Sequence, residues 1–260
     1  MSAPELDGRK VLVVGAGTRP SPDDGGPIGN GRAIAVLAGR AGAVVACADI
    51  DQGSAAHTAT LVEAEGARAH VLTVDVTDAH ACAGVVVDAD EVMGGLDGLV
   101  CNVGIGAGMG MSGTTPDEWD AVFAVNVRSH FLLAAAALPR MSEGASIVFI
   151  SSIAGLTAGS RIPAYDASKA ALAGLCRQVA AEGARRGVRA NVVAPGLIDT
   201  PLGRWATGGR PSRTKAPVPL GRQGTAWEVA EPVVFLLSDR ASYITSQLLA
   251  VDGGLIGCRG

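Results

Sequence analysis

The sequence predicts an α/β fold: a doubly wound parallel sheet of about seven strands with helices on both faces, in a single domain over residues 1–260. Three observations predict it. Apolar runs of strand length recur at 10–14, 43–49, 69–75, 99–102, 146–151, 189–194 and 247–251. They are nearly unbroken rather than alternating, as in strands covered on both faces of a parallel sheet. Segments of helical periodicity lie between most of them, at 31–41, 53–65, 78–93, 116–141, 164–186 and 225–238. That is the alternation right-handed βαβ crossovers require. At 48% hydrophobic and 18% charged, the chain can bury one substantial core, and it shows neither a repeat nor an internal linker.

Composition removes several classes of function. The formal charge of −4 carries no basic cluster, so nucleic acid is not an expected partner. The first residues, Met1-Ser2-Ala3-Pro4-Glu5, lack the basic start and apolar core of a signal peptide. No apolar run approaches the roughly 18 residues of a membrane span. Cys47, Cys82, Cys101, Cys176 and Cys258 are widely spaced and odd in number, and His57, His70, His80 and His130 lack metal-ligand spacing. Reduced thiols, no metal and a cytoplasmic location are therefore expected.

Each element carries its own signal. The first strand enters Gly15-Ala16-Gly17, and the first helix leaves Gly29-Asn30-Gly31. A G-x-G-x-x-G pattern from Gly15 fails at Pro20. Residues 18–28, with three prolines, Asp23 and Asp24, read as an insertion at the tip of one glycine-rich loop. It is either a tolerated surface excursion or a flap over a ligand. Ile34, Leu37 and Ala38 share one face of the first helix, whose N-terminal end would meet an anion. The second strand ends at Asp49, with Asp51 as a helix cap. The third ends at Asp75-Val76 and the fourth at Cys101-Asn102-Val103-Gly104.

Asn126 interrupts a long apolar helix, where an amide costs both propensity and burial. It has a task there, or it is a satisfied structural side chain. The fifth strand delivers Ser151-Ser152 to the carboxyl edge of the sheet, where parallel sheets bind ligands. Thirteen residues after Ser152 comes Tyr165, with Lys169 one helical turn further on the same face. A free tyrosine has a pKa of about 10, and a neighbouring ammonium lowers it. Such a pair can exchange a proton with an alcohol or carbonyl oxygen. The sixth strand gives way to Pro195-Gly196-Leu197-Ile198-Asp199-Thr200 and then to an irregular stretch, so 197–224 reads as a functional lid.

Taken together, in this order and over nearly the whole chain from Val11 to Gly254, these motifs resemble the short-chain dehydrogenase/reductase family in its single-domain branch. That family's T-G-x-x-x-G-x-G matches Gly15, Gly29 and Gly31, with Gly17 inside the loop, Val14 for the threonine and about ten extra residues. The resemblance implies a Rossmann-type sheet and an NAD-dependent alcohol dehydrogenase or ketone reductase. Tyr165 would be the acid/base, Lys169 would lower its pKa and bind the nicotinamide ribose, and Ser152 would hold the substrate oxygen. Asn126 would support a proton relay.

Asp49 would accept the adenosine ribose hydroxyls and repel a 2′-phosphate, which favours NAD over NADP. Arg19 points the other way, since a basic residue in this loop can pair with that phosphate. Asp75 and Val76 would meet adenine, and Asn102 and Gly104 the body of the cofactor. Pro195, Gly196, Ile198 and Thr200 would meet the nicotinamide end. The substrate wall would draw on Ser152, Ile153, Tyr165, Leu202 and Trp205, with Met109, Met111 and Ile162 making it apolar. Arg161, Arg204 and Arg210 would meet an anionic group or water. Family members of this size are usually tetramers, so a homotetramer through the helices at 116–141 and 164–186 is expected. The alternative is a catalytically silent dinucleotide-binding protein.

Overall fold

The computed structural model describes residues 5–19, 26–207 and 218–258. Its elements are β1 (Lys10–Val14), α1 (Asn30–Arg40), β2 (Val44–Asp49), α2 (Gln52–Ala64), β3 (Ala69–Thr73), α3 (Ala79–Met93) and β4 (Gly98–Cys101). There follow α4 (Pro116–Phe123), α5 (Ser129–Ala137), β5 (Ser146–Ile150), α6 (Pro163–Gly183), β6 (Arg189–Pro195), β7 (Ile198–Asp199) and α7 (Pro201–Thr207). The chain closes with β8 (Gly224–Thr225), α8 (Ala226–Leu237) and β9 (Leu248–Val251). Seven strands form one parallel sheet in the order β3-β2-β1-β4-β5-β6-β9, and β7 and β8 pair separately.

Strand periodicity explains the two-sided core. On β1, Leu12 and Val14 face one layer, where they pack with Val86, Leu133, Phe149 and Val179. Val11 and Val13 face the other, with Ile34, Val62, Val229 and Val233. The sheet is thus buried on both sides, which is why its central strands read as unbroken apolar runs. The strand order reverses between β1 and β4. At such a point the loops leave the carboxyl edge toward opposite faces and open a crevice.

Local chemistry sets most helix starts. Asp51 caps α2 by accepting from the Ser54 N–H, and Asp78 caps α3. Thr115 with Glu118, and Thr225 with Glu228, form reciprocal capping boxes on α4 and α8. The single helix expected over 116–141 is instead α4 and α5 joined through a π-helical turn at Ala124–Arg128, and α5 ends at Ala137. The widened turn carries Asn126. The third strand stops at Thr73, so Asp75 lies beyond it.

The segment expected as a lid, 197–224, has its two ends tied together. Ile198 pairs with Gly224 and Asp199 with Thr225, and the Gly224 N–H donates to the Leu197 carbonyl at 3.0 Å. The segment therefore leaves and rejoins the domain at one point. Within it, Arg210 lies outside the described residues, as do residues 20–25 of the glycine-loop insertion.

Candidate active site

A cleft of about 710 Å³ opens along the carboxyl edge of the sheet, between the loops that follow β1, β2, β4, β5 and β6. Its first end is built by the glycine-rich loop. Gly15 stands at φ +83°, and the Asn102 amide donates to its carbonyl at 2.8 Å, tying β4 to the loop. A Cβ on Gly31 would lie 1.9 Å from the Gly15 oxygen, so only glycine lets α1 begin this close to β1. The insertion closes on itself at its base, where the Gly29 N–H donates to Thr18 Oγ1 at 3.0 Å. Thr18 and Gly29 thus stand side by side within one glycine-rich loop. The end of α1 opens on the cleft, and first-turn N–H groups have no partners within a helix.

Asp49 lies beside this loop on the cleft wall. Its Oδ2 accepts from the Gly17 N–H at 2.8 Å and its Oδ1 from the Asp51 N–H at 3.1 Å. Each oxygen keeps a further lone pair for a ligand. Ile50, Ser54 and Arg19 complete this end. Asn30, between the two glycines, also lines the cleft, and its Oδ1 is buried with no hydrogen-bond partner.

The other end carries the acid/base groups. Ser152, Tyr165 and Lys169 all line the cleft. Ser152 begins a short 3₁₀ turn and its Oγ accepts from the Ala154 N–H at 3.2 Å. Its neighbour Ser151 turns into the helix layer, donating to the Lys169 carbonyl at 2.7 Å. Tyr165 and Lys169 sit near the start of α6, with the ammonium 5.7 Å from the phenol ring centroid. Lys169 is only 3% exposed, and Nζ donates to the Ile150 carbonyl at 2.9 Å. Burial without a carboxylate partner pulls its pKa from 10.5 down to about 8. A Cβ on Gly104 would lie 3.0 Å from Nζ, so glycine makes room for the lysine head.

Asn126 is fully buried and fully engaged. Its Oδ1 accepts from the Ile105 N–H at 2.8 Å, and Nδ2 donates to the Ile105 carbonyl and to Ser168 Oγ, each at 2.9 Å. Ser168 Oγ in turn donates to the Tyr165 carbonyl at 2.8 Å. Asn126 therefore joins the loop after β4 to the helix that carries Tyr165.

The family model described as enoyl-(acyl carrier protein) reductase matches residues 28–256. The chain belongs to the short-chain dehydrogenase/reductase family. It is 41% identical over 239 residues to 2-(S)-hydroxypropyl-CoM dehydrogenase 3 of Xanthobacter autotrophicus, covering 89% of this chain and 94% of that protein. It is 42% identical over 231 residues to inactive 2-(S)-hydroxypropyl-CoM dehydrogenase 2 of the same organism, covering 85% and 99%. A short-chain dehydrogenase from Burkholderia cenocepacia, solved in complex with NADP, superimposes with a TM-score of 0.88 at 31% identity over 96% of this chain and 99% of that one.

Most residues expected from the short-chain dehydrogenase/reductase motifs line this one cleft. They are Gly15, Gly17, Gly29, Gly31, Asp49, Asn102, Gly104, Ser152, Tyr165 and Lys169, and, after β6, Pro195, Gly196, Ile198, Thr200 and Leu202. The cleft wall does not include Asp75, Val76 or Ile153. Asp75 turns back on its own loop and accepts from the Thr77 N–H and Oγ1, which hold its carboxyl below the usual range. Val76 is buried in the core. Trp205 belongs to α7, but its side chain lies outside the described residues.

Met109 and Met111 are largely exposed, and Met111 borders a smaller separate hollow with Trp119 and Pro163. Arg204 lines the cleft but holds both oxygens of Asp199, at 2.7 and 3.0 Å. Sequence reasoning missed Thr18, Asn30, Ile50 and Ser54 as cleft residues. Of these only Asn30 carried a signal, a polar side chain between the two glycines Gly29 and Gly31.

Proposed function

We propose that this chain transfers hydride between NAD and a secondary alcohol or ketone on an apolar skeleton. The observation that carries the reading is the buried Lys169 one turn from Tyr165, facing the same cleft as Ser152. The glycine-rich end fits a dinucleotide. Gly31 removes the one atom that would fill the approach to the Gly15 carbonyl, and the unpartnered Asn30 Oδ1 leaves a polar atom there to be served. Nicotinamide, when bound, supplies the hydride acceptor for oxidation and the donor for reduction.

In the oxidative direction the Tyr165 phenolate takes the alcohol O–H proton as the carbinol carbon loses hydride and its C–O bond becomes a carbonyl. In reduction the phenol returns that proton to the forming alkoxide. Lys169 stabilises the phenolate by its charge and would also hold the nicotinamide ribose. Ser152 Oγ donates to the substrate oxygen. Asn126 supports the relay by fixing the Ile105 backbone beside Lys169, since its own amide is already engaged.

The NAD preference rests on Asp49, whose carboxylate would meet the dianionic 2′-phosphate of NADP with like charge. Asn102, Gly104, Pro195, Gly196, Ile198 and Thr200 would hold the body of the cofactor. Ile105, Ile162, Leu197 and Leu202 make the substrate wall apolar, and Asp199 answers the charge of Arg204. A cytoplasmic homotetramer is part of the same reading. Among the described residues no helix is long and apolar enough to cross a membrane, and α4 and α5 expose Trp119 and Phe131.

The test is dinucleotide reduction, followed at about 340 nm, across a panel of secondary alcohols with NAD and NADP, and the reverse reaction with the matching ketones. Turnover with NAD supports the reading. The second reading, a dinucleotide-binding protein without turnover, is favoured by the inactive relative at 42% identity. Binding of either cofactor with no reaction across the panel would select it.

A further inference from the structure

Arg32 is buried, lies outside the cleft wall and belongs to none of the residues assigned above. Its guanidinium reaches from the first turn of α1 to one face of α2. Nε donates to Thr58 Oγ1 at 2.9 Å, and Nη2 donates to Ser54 Oγ at 3.2 Å and to the Ser54 carbonyl at 3.3 Å. Ser54 and Thr58 are one helical turn apart, so a single planar fork meets both hydroxyls.

Both hydroxyls also grip the glycine-rich loop. Thr58 Oγ1 donates to the Ala16 carbonyl at 2.9 Å, with the Ser54 carbonyl of its own helix as a second, longer acceptor at 3.1 Å. Ser54 Oγ accepts from the Thr18 N–H at 2.8 Å and donates to the Thr18 carbonyl at 3.1 Å. A hydroxyl has one proton and two lone pairs, and arginine can only donate. Arg32 therefore occupies a lone pair on each oxygen; the Ser54 proton goes to the Thr18 carbonyl, and the Thr58 proton has the Ala16 carbonyl of the loop as its nearer acceptor. The peptide planes on either side of Gly17 are fixed in this way. The Gly17 N–H is the group that aims Asp49, and Thr18 Oγ1 is the group that receives Gly29 and closes the insertion.

The charged groups around the guanidinium agree with this role. Burial pulls its pKa below the usual arginine value, while Asp49 and, more weakly, Cys47 favour its charge. Asp49 is thus the acidic group of the cleft that feels the buried cation, and among the described residues no carboxylate takes a hydrogen bond from Arg32.

We infer that Arg32 is a positioning residue for the adenosine half of the cofactor: through Ser54 and Thr58 it holds the base of the inserted glycine-rich loop, and with it Asp49, in the binding geometry. This rests on the reading of the cleft as a dinucleotide site. The test is titration of the full chain with NADH for wild type, Arg32→Lys, Thr58→Val and the double variant, with a thermal melt of each. Thr58 is fully buried and outside the cleft wall, so any effect of its loss on affinity must pass through the loop.

The expected result is a rise in the NADH Kd of about tenfold for Arg32→Lys and about threefold for Thr58→Val, with the double variant close to Arg32→Lys alone. The KM for the alcohol should stay within about twofold, a split that general loosening of the domain would not give. Single variants that melt and bind NADH like wild type overturn the inference, as do effects that multiply in the double variant. If Arg32→Lys does not fold, Thr58→Val decides alone, by raising the Kd or leaving it unchanged. A wild type that binds neither NADH nor NADPH overturns this inference and the dinucleotide reading together, whereas normal wild-type binding with unaffected variants removes this inference only.

Discussion

Replacing Lys169 with methionine should abolish turnover without weakening the fold at neutral pH. The amine is 3% exposed, has no carboxylate partner, and sits at a pKa of about 8 against the ordinary 10.5. That difference corresponds to about 3 kcal/mol spent on keeping the amine protonated in the folded chain. The sign follows from where the protons are. Between about 8 and 10.5 the unfolded chain holds the lysine proton and the folded chain has released it, so stability rises with pH across that window. Below the folded value both states are protonated and the full penalty stands.

Methionine removes the penalty at every pH and keeps most of the packing. It also removes the bond to the Ile150 carbonyl, at a cost of about 1 kcal/mol. Lys169→Met should then match or exceed wild type by up to about 2 kcal/mol at pH 7. It should lose about 2 to 3 kcal/mol of that relative standing by pH 10. Urea denaturation of both proteins at several pH values measures this, with the midpoint and slope read at each. Curves that run parallel from pH 7 to pH 10 would refute the desolvated lysine on which the acid/base reading depends.

Asp49→Ala should weaken NAD binding and relax discrimination against NADP by about tenfold, since it removes the charge that opposes the 2′-phosphate; titration with both cofactors reads it. Excision of residues 19–27 should leave a cooperatively folding protein within about 1 kcal/mol of wild type, because Thr18 and Gly29 already meet at the base of the excursion. NAD binding by the shortened chain would mark the insertion as a surface excursion, and loss of binding as a flap. Light scattering should report a tetramer, and charged substitutions at Trp119 and Phe131 should lower its mass.

The strands were legible because burial on both faces writes itself as unbroken apolar runs. Six of the predicted spans overlap the observed strands to within a residue or two, and at 69–75 the run continues past the true end at Thr73. What periodicity could not show was the π-helical turn at Ala124–Arg128, since apolar residues continue through it. Asn126 stood out as a polar residue in an apolar helix, but its partner Ile105 lies 21 residues earlier and is met through its backbone, which carries no sequence signal. Nothing in the sequence singles out Arg32, because its burial depends on two hydroxyls of α2 that only the packing brings near. Asp75 matched a motif by position, yet local hydrogen bonds to Thr77 turn it away from the cleft. The short β7–β8 pairing that ties the two ends of 197–224 together is too brief to leave any periodicity.

The central claim is tested most directly by single-turnover hydride transfer in Tyr165→Phe, with NADH affinity measured on the same preparation. The variant should bind NADH like wild type while its transfer rate falls by about a thousandfold, the loss expected when a positioned proton donor and acceptor is removed. A variant that transfers hydride at the wild-type rate would show that the phenol is not the group that handles the substrate proton.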